Sequence, residues 1–260
     1  MNLAFRAADK SACLSRQVGA AIITQTGSVL ATGHNDVPQF GGGLYSSESE
    51  RDERCFARSG LCYNDDEKRI ITEEILGLLR SEGIKYLGEE QLVQIKDVLI
   101  KKARLKTLIE FTRAVHAEMD AIISVAREGK PGIVGSTLYV TTYPCHNCAK
   151  HIIDAGVHRV VFLEPYVKSL AQKLHSDAIN NPLEQASDEK ISFDNYGGVS
   201  PRRYPDYFSM SADRKKDSRF IRRSHIQESL LPITAMESDP LRSNLRSFDE
   251  AFKRLYVNKI

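Results

Sequence analysis

No tryptophan occurs in the 260 residues, and there are only five cysteines. Single-stranded nucleic acid is held by aromatic platforms interleaved with cations, in a salt-dependent manner. The two basic stretches here, around Lys101 and around Arg222, are poor in aromatics. That weighs against a protein that edits single-stranded DNA or tRNA. No apolar run approaches membrane-spanning length, and the opening MNLAFRAADKSACLSRQ lacks the apolar centre and cleavage site of a secretion signal. A net charge of +2 and a pI of about 8.2 call for neither a nucleic-acid nor a membrane partner. So few thiols suit a reducing cytoplasm better than a disulfide framework. Internal repeats and low-complexity segments are also missing, as is the GxxxxGK[ST] pattern of a phosphate-binding loop.

What is present is enough apolar residue, 42%, to bury a core, so one domain with elaborations is expected. Two short segments dominate it: HAEMDAI from His116 to Ile122, and YPCHNCAKHI from Tyr143 to Ile152. His116 offers an imidazole, and Cys145 and Cys148 offer thiolates. Three such ligands leave the fourth position of a tetrahedral Zn2+ open to water, as in catalytic rather than structural zinc. A CxxC alone also fits a redox pair or half a structural zinc knuckle. The upstream HxE and the proline before Cys145 favour the catalytic arrangement, which is the pattern of zinc nucleobase deaminases. Glu118 is the candidate proton carrier: it can take a proton from the water, deliver it to a ring nitrogen and protonate departing ammonia.

Periodicity places these segments. Leu3 to Leu14 reads as a helix, and Val18–Thr24 and Ser28–Asn35 read as a hairpin turned by Thr26 and Gly27. His116 to Gly129 reads as an amphipathic helix whose apolar face is Met119, Ile122, Ile123 and Ala126. Thr137–Tyr143 reads as a strand entering the PCHNC turn, followed by a helix with Cys148 in its positive first turn.

The order SxxVGAAI, ATGHN, HAEMDAI, LYVTTYPCHNC and GVHRVVFLEPY resembles the deoxycytidylate deaminase family of the cytidine deaminase superfamily. The resemblance implies an α/β fold: three α/β/α layers around a mixed sheet of about five strands, with a helical insertion. The longer segments NDVPQFGGGLY, EFTRAVHAEMDAI, LEPYVKSLAQKLHSDAI and GGVSPRRYPDYF are similar to bacterial anti-phage dCTP deaminases. That implies free deoxycytidine nucleotides as substrates, a homo-oligomer (dimer or hexamer), and a regulatory N-terminal domain or RNA as candidate partner. A housekeeping dCMP deaminase is the alternative. The deaminase-like domain is expected over 1–217, with the insertion over 52–111 and an extension over 218–260.

By the same resemblance Asn35 contacts the substrate sugar, and Ala117 and Pro144 lie against the substrate. A turn-capping role before Asp36 and Pro38 is the other reading of Asn35. Candidate phosphate contacts are Arg16, Tyr166 and Lys168, then Arg202 and Arg203. The run Gly41, Gly42, Gly43 could let backbone approach phosphate, or form a plain loop. Within the insertion, Asn64 is expected to cap a helix with a buried stripe of Ile71, Ile75, Leu78 and Leu79. A second helix is expected after Gly83, through Leu92, Ile95, Leu99 and Ala103, and the cluster Lys101, Lys102, Arg104 and Lys106 is expected to be solvated. Cys13 and Cys55 lie where some family members hold a second zinc, but free thiols are the simpler account of Cys13, Cys55 and Cys62. Ser247 and Glu250 resemble a capping box opening a terminal helix through Phe252 and Leu255.

Overall fold

The computed structural model describes residues 1–81, 88–181, 187–205, 215–216 and 218–220. Gly83, the stretch around Arg222 and the helix expected after Ser247 lie outside these residues. Residues Met1–Gly197 form one unit and Gly198–Ile260 a second.

The first unit is built on one five-stranded sheet in the order β2-β1-β3-β4-β5. Its strands are β1 (Gly19–Ile23), β2 (Val29–His34), β3 (Thr137–Thr142), β4 (Arg159–Glu164) and β5 (Ser192–Asn195). β1 runs antiparallel to both neighbours, and β3, β4 and β5 run parallel, so the sheet is mixed. The β1–β2 hairpin closes through Gly27, whose φ of 88° suits glycine.

Alternation along the strands sends Ala20, Ile22, Leu138, Val140, Val160 and Phe162 to one face, where all are buried. Two helices cover that face, α5 (Ala117–Arg127) and α6 (His146–Asp154). The opposite face carries α1 (Asn2–Ala8), seated on Gly19 through the buried Ala4 and Ala8. Helices therefore flank the sheet on both sides.

Three readings of the sequence need correction. The first helix stops at Ala8, not Leu14. Beyond it, Ala12 N–H donates to Asp36 Oδ2 at 2.9 Å and Ser11 Oγ donates to the Asn35 carbonyl at 2.6 Å, which draws the chain onto the end of β2. The buried face of α5 is Ala117, Ala121, Ser124 and Val125, whereas Ile123 is 43% exposed and Ala126 is exposed. Small residues win that face because α5 lies directly on Gly33 of the sheet.

The third concerns the insertion, which holds α2 (Cys55–Arg58), α3 (Tyr63–Ser81) and α4 (Glu89–Lys101). Asn64 is not the cap of α3. It lies inside the first turn, buried, with Nδ2 donating to the Leu108 carbonyl at 3.1 Å. The buried residues of α3 are Asn64, Thr72 and Leu76, and Leu78 is 60% exposed. Leu92 is buried on α4, while Lys101, Lys102 and Arg104 are exposed, with Lys101 paired to Asp97. In the second unit, Arg202 and Arg203 lie in a short 3-10 turn, and Lys215–Lys216 pairs with Arg219–Phe220.

Candidate metal centre and active site

Two helix starts carry the centre. His116 is the N-cap of α5, extended at φ −76° and ψ 154°, and its carbonyl accepts the Asp120 N–H at 2.9 Å. The residue before it, Val115, donates its N–H to the Asp36 carbonyl, so the loop into α5 is pinned beside β2. Cys145 is the N-cap of α6, and its Sγ accepts the Cys148 N–H at 3.4 Å. Cys148 thus sits in the first turn of α6, where the helix dipole favours a thiolate.

The three donors converge. His116 Nδ1 is 3.4 Å from Cys145 Sγ and 3.3 Å from Cys148 Sγ. Tetrahedral zinc, with Zn–N near 2.0–2.1 Å and Zn–S near 2.3 Å, sets an N···S edge of about 3.5 Å. The donor set therefore fits Zn2+ in both chemistry and spacing. Among the described residues this is the one group of three metal-ligating side chains. Cys13, Cys55 and Cys62 are free, half-buried thiols, and none of them belongs to a group of three metal-ligating side chains among the described residues.

Titration in the metal-free chain follows the same geometry. The hydrogen bond with Cys148 and the pairing with His116 outweigh burial to bring Cys145 down to about 4. Burial works to lower His116, but Cys145 and Glu118 beside it raise it to about 9. Cys148 is pushed up, by Cys145 first and then by burial. Glu118, 3% exposed, is raised chiefly by burial, which is the environment of a carboxyl suited to carrying protons.

Glu118, Ala117, His116 and Cys145 line one cavity. Arg16, Asn35 and Tyr166 share its walls. Asn35 is buried and clamps the approaching chain: its Oδ1 accepts the Val18 N–H and its Nδ2 donates to the Arg16 carbonyl, both at 2.7 Å. Pro144 is fully buried and does not line the cavity; its carbonyl accepts Ser169 Oγ at 2.7 Å. Lys168 is exposed in the turn after β4 and is not among the lining residues. Nor are Gly41, Gly42 and Gly43, which form an exposed turn with φ values of 89°, 104° and 82°.

The walls also contain residues that sequence reading did not assign to a site: Ser15, Asn64, Ile109 and Thr112. Asn64 was legible only as a polar residue opening a helix. Nothing local announces that residues of the insertion line the cavity that holds His116.

The family described as "Cytidine and deoxycytidylate deaminase zinc-binding region" matches residues 1–164, which include the whole centre. The chain belongs to that family. The deoxycytidylate deaminase of Enterobacteria phage T4 is 29% identical over 169 residues, covering 65% of this chain and 78% of the phage protein. The human deoxycytidylate deaminase is 28% identical, covering 56% of this chain and 66% of its own length. Among solved structures, the dCMP deaminase of cyanophage S-TIM5 in complex with dCMP and dUMP covers 74% of this chain and 90% of its own, at 19% identity and a TM-score of 0.42. Membership accounts for the cofactor, zinc, and His116, Cys145 and Cys148 are the candidate group that could hold it. Among the described residues no helix is long and apolar enough to cross a membrane.

Proposed function

We propose that the protein hydrolytically deaminates free deoxycytidine nucleotides, dCMP and dCTP, to the deoxyuridine nucleotides and ammonia. The observation that carries this is the burial of Glu118 against three converging metal donors, in a cavity that Arg16 also lines. When bound, zinc supplies a water whose pKa is brought to roughly 7. Glu118 then moves two protons in turn. The first goes from the water to the ring nitrogen of the cytosine amidine as the water oxygen bonds to the amidine carbon. The second goes from that hydroxyl to the amino group, whose C–N bond breaks to release ammonia as the carbonyl forms. Apolar Val18, Ile109 and Ala114 make the cavity walls suited to a flat base. Asn35 stands at the wall as the sugar contact, and its amide fixes the backbone that carries Arg16. Arg16 and Tyr166 are the phosphate contacts that the cavity offers.

The dCTP substrate, and with it depletion of dCTP during phage infection, rests on the similarity of the long segments to bacterial anti-phage dCTP deaminases. The relatives named deoxycytidylate deaminase favour a second reading, a housekeeping enzyme acting on dCMP alone. Ammonia release and product mass are to be measured in parallel with dCTP, dCMP, CTP, deoxycytidine and a cytosine-containing oligonucleotide. Turnover of dCTP supports the pool-depleting enzyme and turnover of dCMP alone the housekeeping one. Activity confined to the oligonucleotide overturns both. A cytoplasmic homo-oligomer, dimer or hexamer, belongs to the same proposal, and light scattering on the purified protein tests its size.

A further inference from the structure

One charge arrangement beside the cavity bears on which substrates it accepts, and it rests on the reading of the substrate as a nucleotide. Among the described lining residues Arg16 is the one permanent cation. Its guanidinium is already paired, with the carboxylate of Glu164.

Backbone bonds hold both partners in place. The Arg16 carbonyl accepts Asn35 Nδ2 at 2.7 Å. Glu164 ends β4 opposite Thr142 of β3, and its carbonyl accepts the Tyr143 N–H at 2.8 Å. The two side chains are 45% and 54% exposed, so the pair is wet and reaches solvent. Tyr166, two residues beyond Glu164, lines the same cavity, and Arg16 is among the charges that act on its phenol.

We propose that Glu164 is a specificity-determining residue: it occupies the guanidinium that a nucleotide phosphate needs and penalises each negative charge that the substrate brings. An exposed guanidinium–carboxylate pair is weak, so a phosphate, with more charge and oxygens that match the planar fork, displaces the carboxylate. The displaced carboxylate remains tethered at the end of β4, near the phosphate. Its repulsion grows with the number of phosphate charges and is screened by salt. A neutral nucleoside does not experience it, dCMP experiences some, and dCTP experiences most.

Glu164→Gln keeps the shape and removes the charge. The kcat/KM values for deoxycytidine, dCMP and dCTP are measured on one preparation, so that their ratios do not depend on the fraction of active enzyme. Relative to wild type, the dCMP to deoxycytidine ratio is expected to rise roughly threefold to tenfold at low ionic strength. The dCTP ratio is expected to rise further, and both gains should shrink in about 0.5 M salt, where charges are screened within a few ångström. Where deoxycytidine is a non-substrate, the dCTP to dCMP ratio is read instead. Arg16→Gln should lower the ratios and abolish the gain from Glu164→Gln. Ratios that stay level or fall in Glu164→Gln, or a gain indifferent to salt, overturn the assignment. If Arg16→Gln leaves the ratios unchanged, phosphate does not reach Arg16 and the assignment falls while deamination stands. If wild type turns over none of the three compounds, the substrate reading itself has failed, and this assignment fails with it.

Discussion

A Cβ placed on Gly33 would lie 2.2 Å from the carbonyl oxygen of Ala117 and 2.5 Å from the amide nitrogen of Ala121. Strand β2 and the metal-bearing helix α5 therefore touch backbone to backbone. That contact sets the distance between the end of β2, which carries Asn35, and the start of α5, which carries His116 and Glu118. The close approach, rather than any unusual φ, is why a side chain cannot stand there.

Gly33→Ala should consequently be costly for so small a change. Overpacking of this kind costs about 1–3 kcal/mol, and relief requires α5 to lift from the sheet with His116 attached. Urea unfolding of the zinc-loaded variant should show the loss of stability, and metal analysis should show weaker zinc retention. A variant as stable and as metal-replete as wild type would show that the helix can shift without consequence.

Glu118→Gln should separate metal binding from proton transfer. The glutamine fills the same buried space but cannot carry a proton. Zinc content should stay near that of wild type while kcat falls by roughly 10²–10⁴. Near-normal turnover of dCMP by this variant would remove Glu118 from the mechanism.

Cys145→Ala should lose metal and stability together. The residue supplies a ligand and also the acceptor for the Cys148 N–H at the head of α6. Loss of a helix cap alone costs about 0.5–2 kcal/mol, and loss of the metal adds to it. A chelator should lower the melting temperature of wild type and have little effect on the variant.

His34 should make stability depend on pH. Burial holds its imidazole below the ordinary 6.5, against the pull of Asp120 and Asp36 and with Lys10 and Arg54 opposing the added charge. With the folded value depressed, its stabilising contribution is fully present above 6.5 and is lost as pH falls from there through the folded value. Asp120, raised mainly by burial, acts in the opposite sense: its contribution is lost as pH rises through its folded value. The melting temperature of wild type should drop more between pH 7 and pH 5.5 than that of His34→Gln. Parallel curves for the two proteins would remove His34 as the cause.

How much could be read without the fold is clearest in α5 and α3. The limits of α5 were legible to within two residues at each end, since its start and its terminating Gly129 are local signals. Its buried face was legible only in part. Met119 and Ile122 pack against the core, partly buried, but Ile123 and Ala126 are exposed, and the sheet itself takes Ala117, Ala121 and Val125, because Gly33 opposite admits only small groups. Asn64 on α3 fails in the same way. A polar residue at a helix start suggests a cap, but its role is set by the Leu108 carbonyl, 44 positions away in the chain.

The sequence by itself pointed to the candidate metal set and the candidate proton carrier. His116 and Glu118 share one helix start and Cys145 and Cys148 share another, so each pair is oriented by a single turn of backbone. Only the tertiary structure decided what surrounds them: that the insertion supplies Asn64 and Ile109 to the cavity, that Lys168 and Pro144 stay off its lining, and that Arg16 meets Glu164. Those contacts join residues far apart in the chain, through sheet register and helix packing. Short-range periodicity carries no record of either.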